Sequence, residues 1–236
     1  MQSKIINTIL SFLLSAVLIL LMTSCDKNQG HPSYMGFNYF GHTAGTWVIY
    51  DVDSIVYDDF LNEVFQYNYQ VKEVNAGFFV DSQNDSVMRL ERFFRAHPED
   101  PWKHKNVWSA KLLANKAIKT EENVSFLKIA FPAKRNQSWN GNAFNNMESQ
   151  NYIITHIHQP LEVGNMLFDS TMRVSQKDFS TLIGEDLQYE LYGSNVGMLM
   201  KRYVELSKEI DGTIIRGVDY TYTIAEYGVN DPESLH

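Results

Sequence analysis

A single cysteine, Cys25, stands in a chain of 236 residues, so no disulfide can form within one molecule. The fold must then rest on its core, a metal or a partner. The common catalytic signatures are missing too. The chain has no Gly-x-Ser-x-Gly elbow, no His-Glu-x-x-His, no Walker phosphate loop and no Gly-x-Gly-x-x-Gly. A Ser-His-Asp or paired-carboxylate site can still assemble in space, because such sites are defined by geometry rather than order. Positive charge is scarce: 20 Lys and Arg against 28 Asp and Glu leave a formal charge of −8, with no basic block. Such a chain is a poor partner for nucleic acid or for anionic headgroups. There is no internal repeat and no low-complexity tract.

What is present begins at the amino end. Lys4 supplies a positive start, and Ile5 to Met22 is apolar apart from Asn7, Thr8, Ser11 and Ser15. This layout is that of a secretory signal peptide, over residues 1–24. The run is also about long enough to span a bilayer, which takes roughly 17–25 residues. The position of Cys25 decides against an uncleaved helix. Met22-Thr23-Ser24-Cys25 resembles the lipobox of bacterial lipoproteins, with Met22 where Leu is usual. The resemblance implies diacylglycerol on the Cys25 sulfur, cleavage before it and an acyl chain of the palmitate kind on the new amino end. Each buried CH₂ adds about 0.8 kcal/mol of membrane binding, so two or three chains hold firmly. Removing residues 1–24 takes away Lys4 alone among charged residues and moves the charge from −8 to −9. Residues 25–45 then read as the lipidated cysteine and a polar, Gly-punctuated tether.

From residue 46 to 236 the pattern is that of strands. Side chains on a strand alternate between faces. In Trp47 to Tyr57 one face carries Val48, Tyr50, Val52 and Val56. In Phe65 to Val71 the face Phe65, Tyr67, Tyr69, Val71 opposes Gln66, Asn68, Gln70. Val87 to Phe94 places Met88, Leu90 and Phe94 together, and Val124 to Phe131, Tyr152 to His158 and Phe168 to Val174 are further strands. Asp211-Gly212 marks a hairpin between Val196–Leu206 and Thr213–Tyr227, although the first of these also fits a helix. Val107 to Ile118 is ambiguous between helix and strand, and Phe179 to Tyr192 accommodates a short helix. Lys134 to Gln150 reads as a long surface loop. The expectation is a mainly β, antiparallel single domain with at most short helices. A curved sheet, a sandwich and a partly open barrel all satisfy it.

Several short pieces resemble, in order, uncharacterised lipoproteins common in Bacteroidota. They are Tyr39-Phe40, Gly45 to Ile55, Glu91-Arg92, Glu122-Asn123-Val124, Phe131-Pro132, Trp139 to Asn142, Phe168 to Thr171 and Asn195-Val196-Gly197. The resemblance spans most of the mature chain. It implies a two-membrane envelope and continuity of fold, and it assigns no site residue.

Two sets of residues are candidates for chemistry. His156 and His158 stand two apart, so on a regular strand both imidazoles reach one zinc ion. A third ligand is needed, and Glu162 or Asp169 would be arbitrary choices. The plain alternative is a half-exposed sheet face. Trp139, Asn140 and Asn142 offer an indole to stack on a sugar and amides for its hydroxyls. The alternative there is a Trp folded back to pin the loop, with Gly141 in a turn. The many Tyr and Phe line either an apolar-ligand cavity or an ordinary core. Glu91 and Arg92 fall on opposite strand faces and read as a solvated edge or separate cross-strand pairs.

The sequence therefore supports a lipid-anchored envelope protein with a non-enzymatic binding or structural role. It would be held through Cys25 on the periplasmic face of the outer membrane, with an envelope protein or a glycan as partner and no nucleic acid. The alternative is a membrane-tethered, zinc-dependent hydrolase using His156 and His158. A subunit of a larger envelope assembly is a third possibility.

Overall fold

The computed structural model describes residues 34–229; the segment 1–24 expected to be a signal peptide, and Cys25, lie outside them. The described residues form one antiparallel sheet of twelve strands. They are β1 (Thr46–Asp58), β2 (Glu63–Val80), β3 (Ser86–Arg95), β4 (Lys103–Leu113), β5 (Lys116–Glu121) and β6 (Val124–Ala130). After these come β7 (Ser138–Asn140), β8 (Asn151–Val163), β9 (Met166–Ser180), β10 (Gly184–Gly193), β11 (Gly197–Lys208) and β12 (Ile214–Val229). One 3-10 turn, Phe37–Tyr39, precedes them.

Each strand pairs with its neighbour in sequence, except that β1 pairs with β12 and β6 and β7 stand at the two ends of the order. The sheet is thus an up-and-down meander curled into a nearly closed barrel. Three hydrogen bonds bridge the remaining seam. Leu127 N donates to Gly141 O at 2.8 Å, Trp139 Nε1 donates to Leu127 O at 2.8 Å, and Asn145 Nδ2 donates to Ser125 O at 2.9 Å. An open sheet would leave β6 with unpaired backbone groups, and these bonds remove most of that edge.

Register follows the alternation. Tyr50 lies between Val71 and Ile224, and Val52 between Tyr69 and Tyr222. These residues face inward, while Asp51, Asp53, Gln66, Asn68 and Arg89 on the opposite parity are exposed to water. A membrane-spanning barrel needs an apolar outer band about 25 Å tall, and these side chains do not supply it. Buried apolar residues gather in three clusters. One holds Tyr39, Ile129, Phe131, Ile154, Met172 and Val174, the second Tyr50, Val52, Val71, Leu199 and Ile224, and the third Met88, Leu90 and Ala110.

Four local expectations are corrected. Residues 34–45 are not tether, because Tyr39 is fully buried and its hydroxyl bonds Ser170 Oγ at 2.8 Å. Val107 to Ile118 contains no helix: β4 and β5 form a hairpin about Ala114-Asn115, with Leu112 opposite Ala117. Phe179 to Tyr192 is likewise strand, the end of β9 and β10; both partners of β10 carry a bulge against it, at Gln176 on β9 and Leu199 on β11. The long loop over 134–150 contains β7 and a set of turns tied to the seam.

Candidate functional site

Strand parity places charge inside the barrel. Glu73 continues the inward series Tyr67, Tyr69, Val71 on β2 and pairs across to Arg92 on β3. Arg92 shares its face with Met88, Leu90 and Phe94, so it does not sit at a solvated edge: it is 3% exposed. Its Nε donates to Glu73 Oε1 at 2.9 Å, and Lys119 Nζ of β5 reaches the other oxygen, Oε2, at 2.8 Å. The Arg92 guanidinium lies 3.5 Å from the centre of the Trp108 ring, and Lys119 Nζ is 4.9 Å from it. Trp108 Nε1 in turn donates to Glu122 Oε1 at 3.2 Å.

A second set lies alongside. Lys128 is the additional residue of a bulge between β5 and β6, which turns it inward. Its Nζ sits 2.7 Å from Glu121 Oε1 and 2.8 Å from Glu190 Oε1. Lys201 of β11 lies 3.5 Å from Glu121 Oε2, and Tyr192 Oη donates to Glu190 Oε2 at 2.5 Å.

Burial pushes each of these carboxyls up, and the neighbouring ammonium and guanidinium charges more than reverse it. Glu73, beside Lys119 and Arg92, is therefore held below the usual carboxylate range. Glu121, beside Lys128, Lys201 and Lys119, is held far below it. Glu190, beside Lys128 and Lys201, is also lowered. For Lys128 and Lys201 burial lowers the ammonium, but Glu121 and Glu190 raise it above its ordinary value. The groups are thus fixed charges at neutral pH.

Two spaces adjoin this network. The deeper is about 60 Å³ and touches Lys128, Glu190, Tyr50, Tyr192, Leu90 and Ala110, so residues of all three apolar clusters border it. The larger is about 450 Å³. Glu73, Lys119 and Glu121 line both. The walls of the larger one add Arg92, Lys201, Trp108, Phe126, Tyr220 and Tyr222, with Val124, Lys105 and Glu122 also in its lining. A concave space of this size, lined by five aromatic and seven charged side chains, has the dimensions of a small-molecule site and is more polar than most.

The residues singled out by sequence lie elsewhere. His156 is exposed, with Nδ1 3.2 Å from Thr155 Oγ1. His158 has a positive φ of 59° and its Nδ1 is 3.0 Å from Tyr39 Oη. The ladder between β8 and β9 slips on each side of these residues, so the two-residue period that would aim both imidazoles at one ion is broken. Among the described residues no group of three His, Cys, Asp or Glu gathers to hold a metal, and neither Glu162 nor Asp169 completes one. Trp139 has its N–H committed to the seam. Asn140 Oδ1 accepts from Asn142 N at 3.1 Å and from Gln150 N at 3.0 Å. Asn142 is buried and donates to Glu148 O at 2.6 Å. The Asn140 carbonyl and the Asn142 amide are thus spent on holding turns.

The cavity residues carry a sequence signal, charged residues at inward parity. Extending the β2 alternation by one step reaches Glu73, and the β3 alternation passes through Arg92. Lys128 carried no such signal, because a bulge sets its direction.

No protein-family model matches this sequence, and no curated protein matches it. Among solved structures, the chain is similar to a "putative lipoprotein" from Parabacteroides distasonis, at 9% identity and a TM-score of 0.35. That match covers 80% of this chain and 98% of the other. At this level of likeness no activity or residue role transfers.

Proposed function

We propose that the chain is a lipid-anchored envelope protein whose barrel binds a small molecule in its interior without chemically changing it. The acyl chains on Cys25 would hold it at the outer membrane, facing the periplasm. The anchor rests on the charged start, the apolar run and the Met22-Thr23-Ser24-Cys25 pattern. The binding role rests on one observation, the 450 Å³ space inside the barrel. Apolar residues of the same volume would hold a barrel together as well as buried ion pairs do, because desolvating charges costs several kcal/mol each. The network is therefore better explained by what it presents to a ligand than by stability. Binding is favoured over acid–base catalysis because a general acid or base needs a pKa near the working pH. Glu73, Glu121 and Glu190 are displaced downward and Lys128 and Lys201 upward, away from neutrality.

Two variants of the full chain test the two halves. Cys25→Ser should abolish incorporation of labelled palmitate and release the protein from the membrane fraction; unchanged mass and partitioning would refute the anchor. Val124→Trp fills the cavity lining with an indole. It should remove a saturable binding site for the neutral dye N-phenylnaphthylamine while leaving the melting temperature in place. Undiminished dye binding would place the site outside the barrel.

A further inference from the structure

We infer that the cavity selects a small aromatic anion, held by one surplus positive charge. The inference deepens the binding role proposed above and depends on it. Around the two adjoining spaces stand five cationic side chains, Arg92, Lys105, Lys119, Lys128 and Lys201. Four carboxylates, Glu73, Glu121, Glu122 and Glu190, face them. A chain whose formal charge is −8 thus keeps a locally positive interior.

The surplus can be located. Glu73 is satisfied by Arg92 and Lys119, and Glu190 by Lys128 and Tyr192. Glu121 is shared between Lys128 at 2.7 Å and Lys201 at the longer distance of 3.5 Å. Among the described residues Lys105 takes part in no ion pair; its ammonium is 5.9 Å from the centre of the Tyr69 ring. Its position is another product of a bulge. The ladder between β3 and β4 steps from Asn106 to His104, leaving Lys105 as the additional residue, and it lines the cavity. Burial, then the charge of Arg92, pulls the Lys105 ammonium below its ordinary pKa, and the carboxylates of Glu122 and Glu73 only partly oppose this. An anion beside Lys105 supplies the counter-charge, with Lys201 in the lining of the same space.

The rest of the wall describes the ligand's body. Tyr220 and Tyr222 are in edge-to-face contact, with centroids 5.8 Å apart, and Phe126 lines the same space. One ring of the wall is already committed, since Trp108 packs against Arg92. The phenol hydroxyls and the ammonium groups are hydrogen-bond donors, which favours an acceptor-rich head such as a carboxylate or sulfonate. A flat ring carrying one such head matches both features. A divalent cation does not, because it would add to the surplus.

The test compares two dyes that share a ring system and differ in one charge. Anilinonaphthalene sulfonate is the anion and N-phenylnaphthylamine its neutral counterpart. Each is titrated into the full chain and read by dye fluorescence. The expected result is one site, with the sulfonate bound at least about tenfold more tightly than the neutral dye. Lys105→Gln should weaken sulfonate binding about three- to tenfold, the effect of one partly screened charge, and leave the neutral dye unaffected. Because Lys105 is a bulge residue that lines the cavity, keeps contact with solvent and makes no ion pair among the described residues, this variant keeps the fold. Equal affinity for the two dyes, or an unchanged sulfonate affinity in Lys105→Gln, overturns the selection of an anion while leaving an apolar binding cavity standing. Binding of neither dye removes the cavity reading itself. Dye bound at exposed apolar hairpin tips such as Phe60 or Ile210 is insensitive to both Lys105→Gln and Val124→Trp, and that outcome also counts against the inference.

Discussion

Replacing Lys128 by Met keeps most of the side-chain volume and removes the charge that Glu121 and Glu190 share. Lys128 and Glu190 are both buried, and their contact is 2.8 Å. Lys201 stays near Glu121 at 3.5 Å, so Glu190 loses more. Breaking a buried pair from one side costs about 3–5 kcal/mol, because a charge remains without its partner. With a urea slope near about 2.5 kcal/mol per M for a chain of this size, the unfolding midpoint at pH 7 should fall by roughly 1–2 M. The pH dependence supplies a second reading. In the parent protein the folded-state pKa of Glu190 lies below its ordinary 4.5. Its contribution is then fully present above about pH 4.5 and is lost as the pH falls through the lowered value. Without Lys128, burial dominates and the folded-state pKa rises above 4.5. The variant then gains stability on protonation and loses it as the pH rises through the raised value. The stability gap between parent and variant should therefore narrow from pH 7 to pH 4. A midpoint shift below about 0.3 M, or a gap that is the same at both pH values, would refute the reasoning.

Trp139→Ala should destabilise the protein by about 3–5 kcal/mol and speed hydrogen exchange at the Leu127 amide, because the indole and its N–H close the seam. A sugar platform would instead lose carbohydrate retention with no change in melting temperature. Gly217→Ala should cost about 2–4 kcal/mol, since a Cβ there would lie 2.0 Å from the carbonyl oxygen of Glu205 at a φ of +137°. Gly212→Ala, where a Cβ meets nothing within 4 Å, should cost less than half as much; equal costs would show that backbone strain rather than crowding decides both.

The fold was legible where inward and outward residues differ in polarity. On β1 and β2 the faces named from sequence are those that point into and out of the barrel, and Asp211-Gly212 sits in the turn between β11 and β12. Legibility failed where the alternation slips. On β9 and β11 the slips fall at Gln176 and Leu199, where one extra residue stands against β10. The strand read over Tyr152 to His158 runs on through Pro160 to Val163, because the ladder slips between Gln159 and Leu161 and asks nothing of the missing N–H. Closure of the barrel was not readable, since the pairing of β1 with β12 joins residues nearly a whole chain apart. The site was hidden for a different reason. A Glu or Arg at an inward position is ordinarily assigned to solvent, and only the joining of six strands shows that Glu73, Arg92, Lys119, Glu121, Lys128, Glu190 and Lys201 pair with one another. The candidates that did stand out, His156, His158 and Trp139, stood out by residue type alone.

The most direct test is a crystal structure of the full chain with anilinonaphthalene sulfonate bound. The predicted result places the rings beside Tyr220 and Tyr222 and a sulfonate oxygen within about 3 Å of the Lys105 or Lys201 ammonium. Dye found only on the outer surface or the hairpin tips, with the interior space unchanged, would contradict a ligand site inside the barrel.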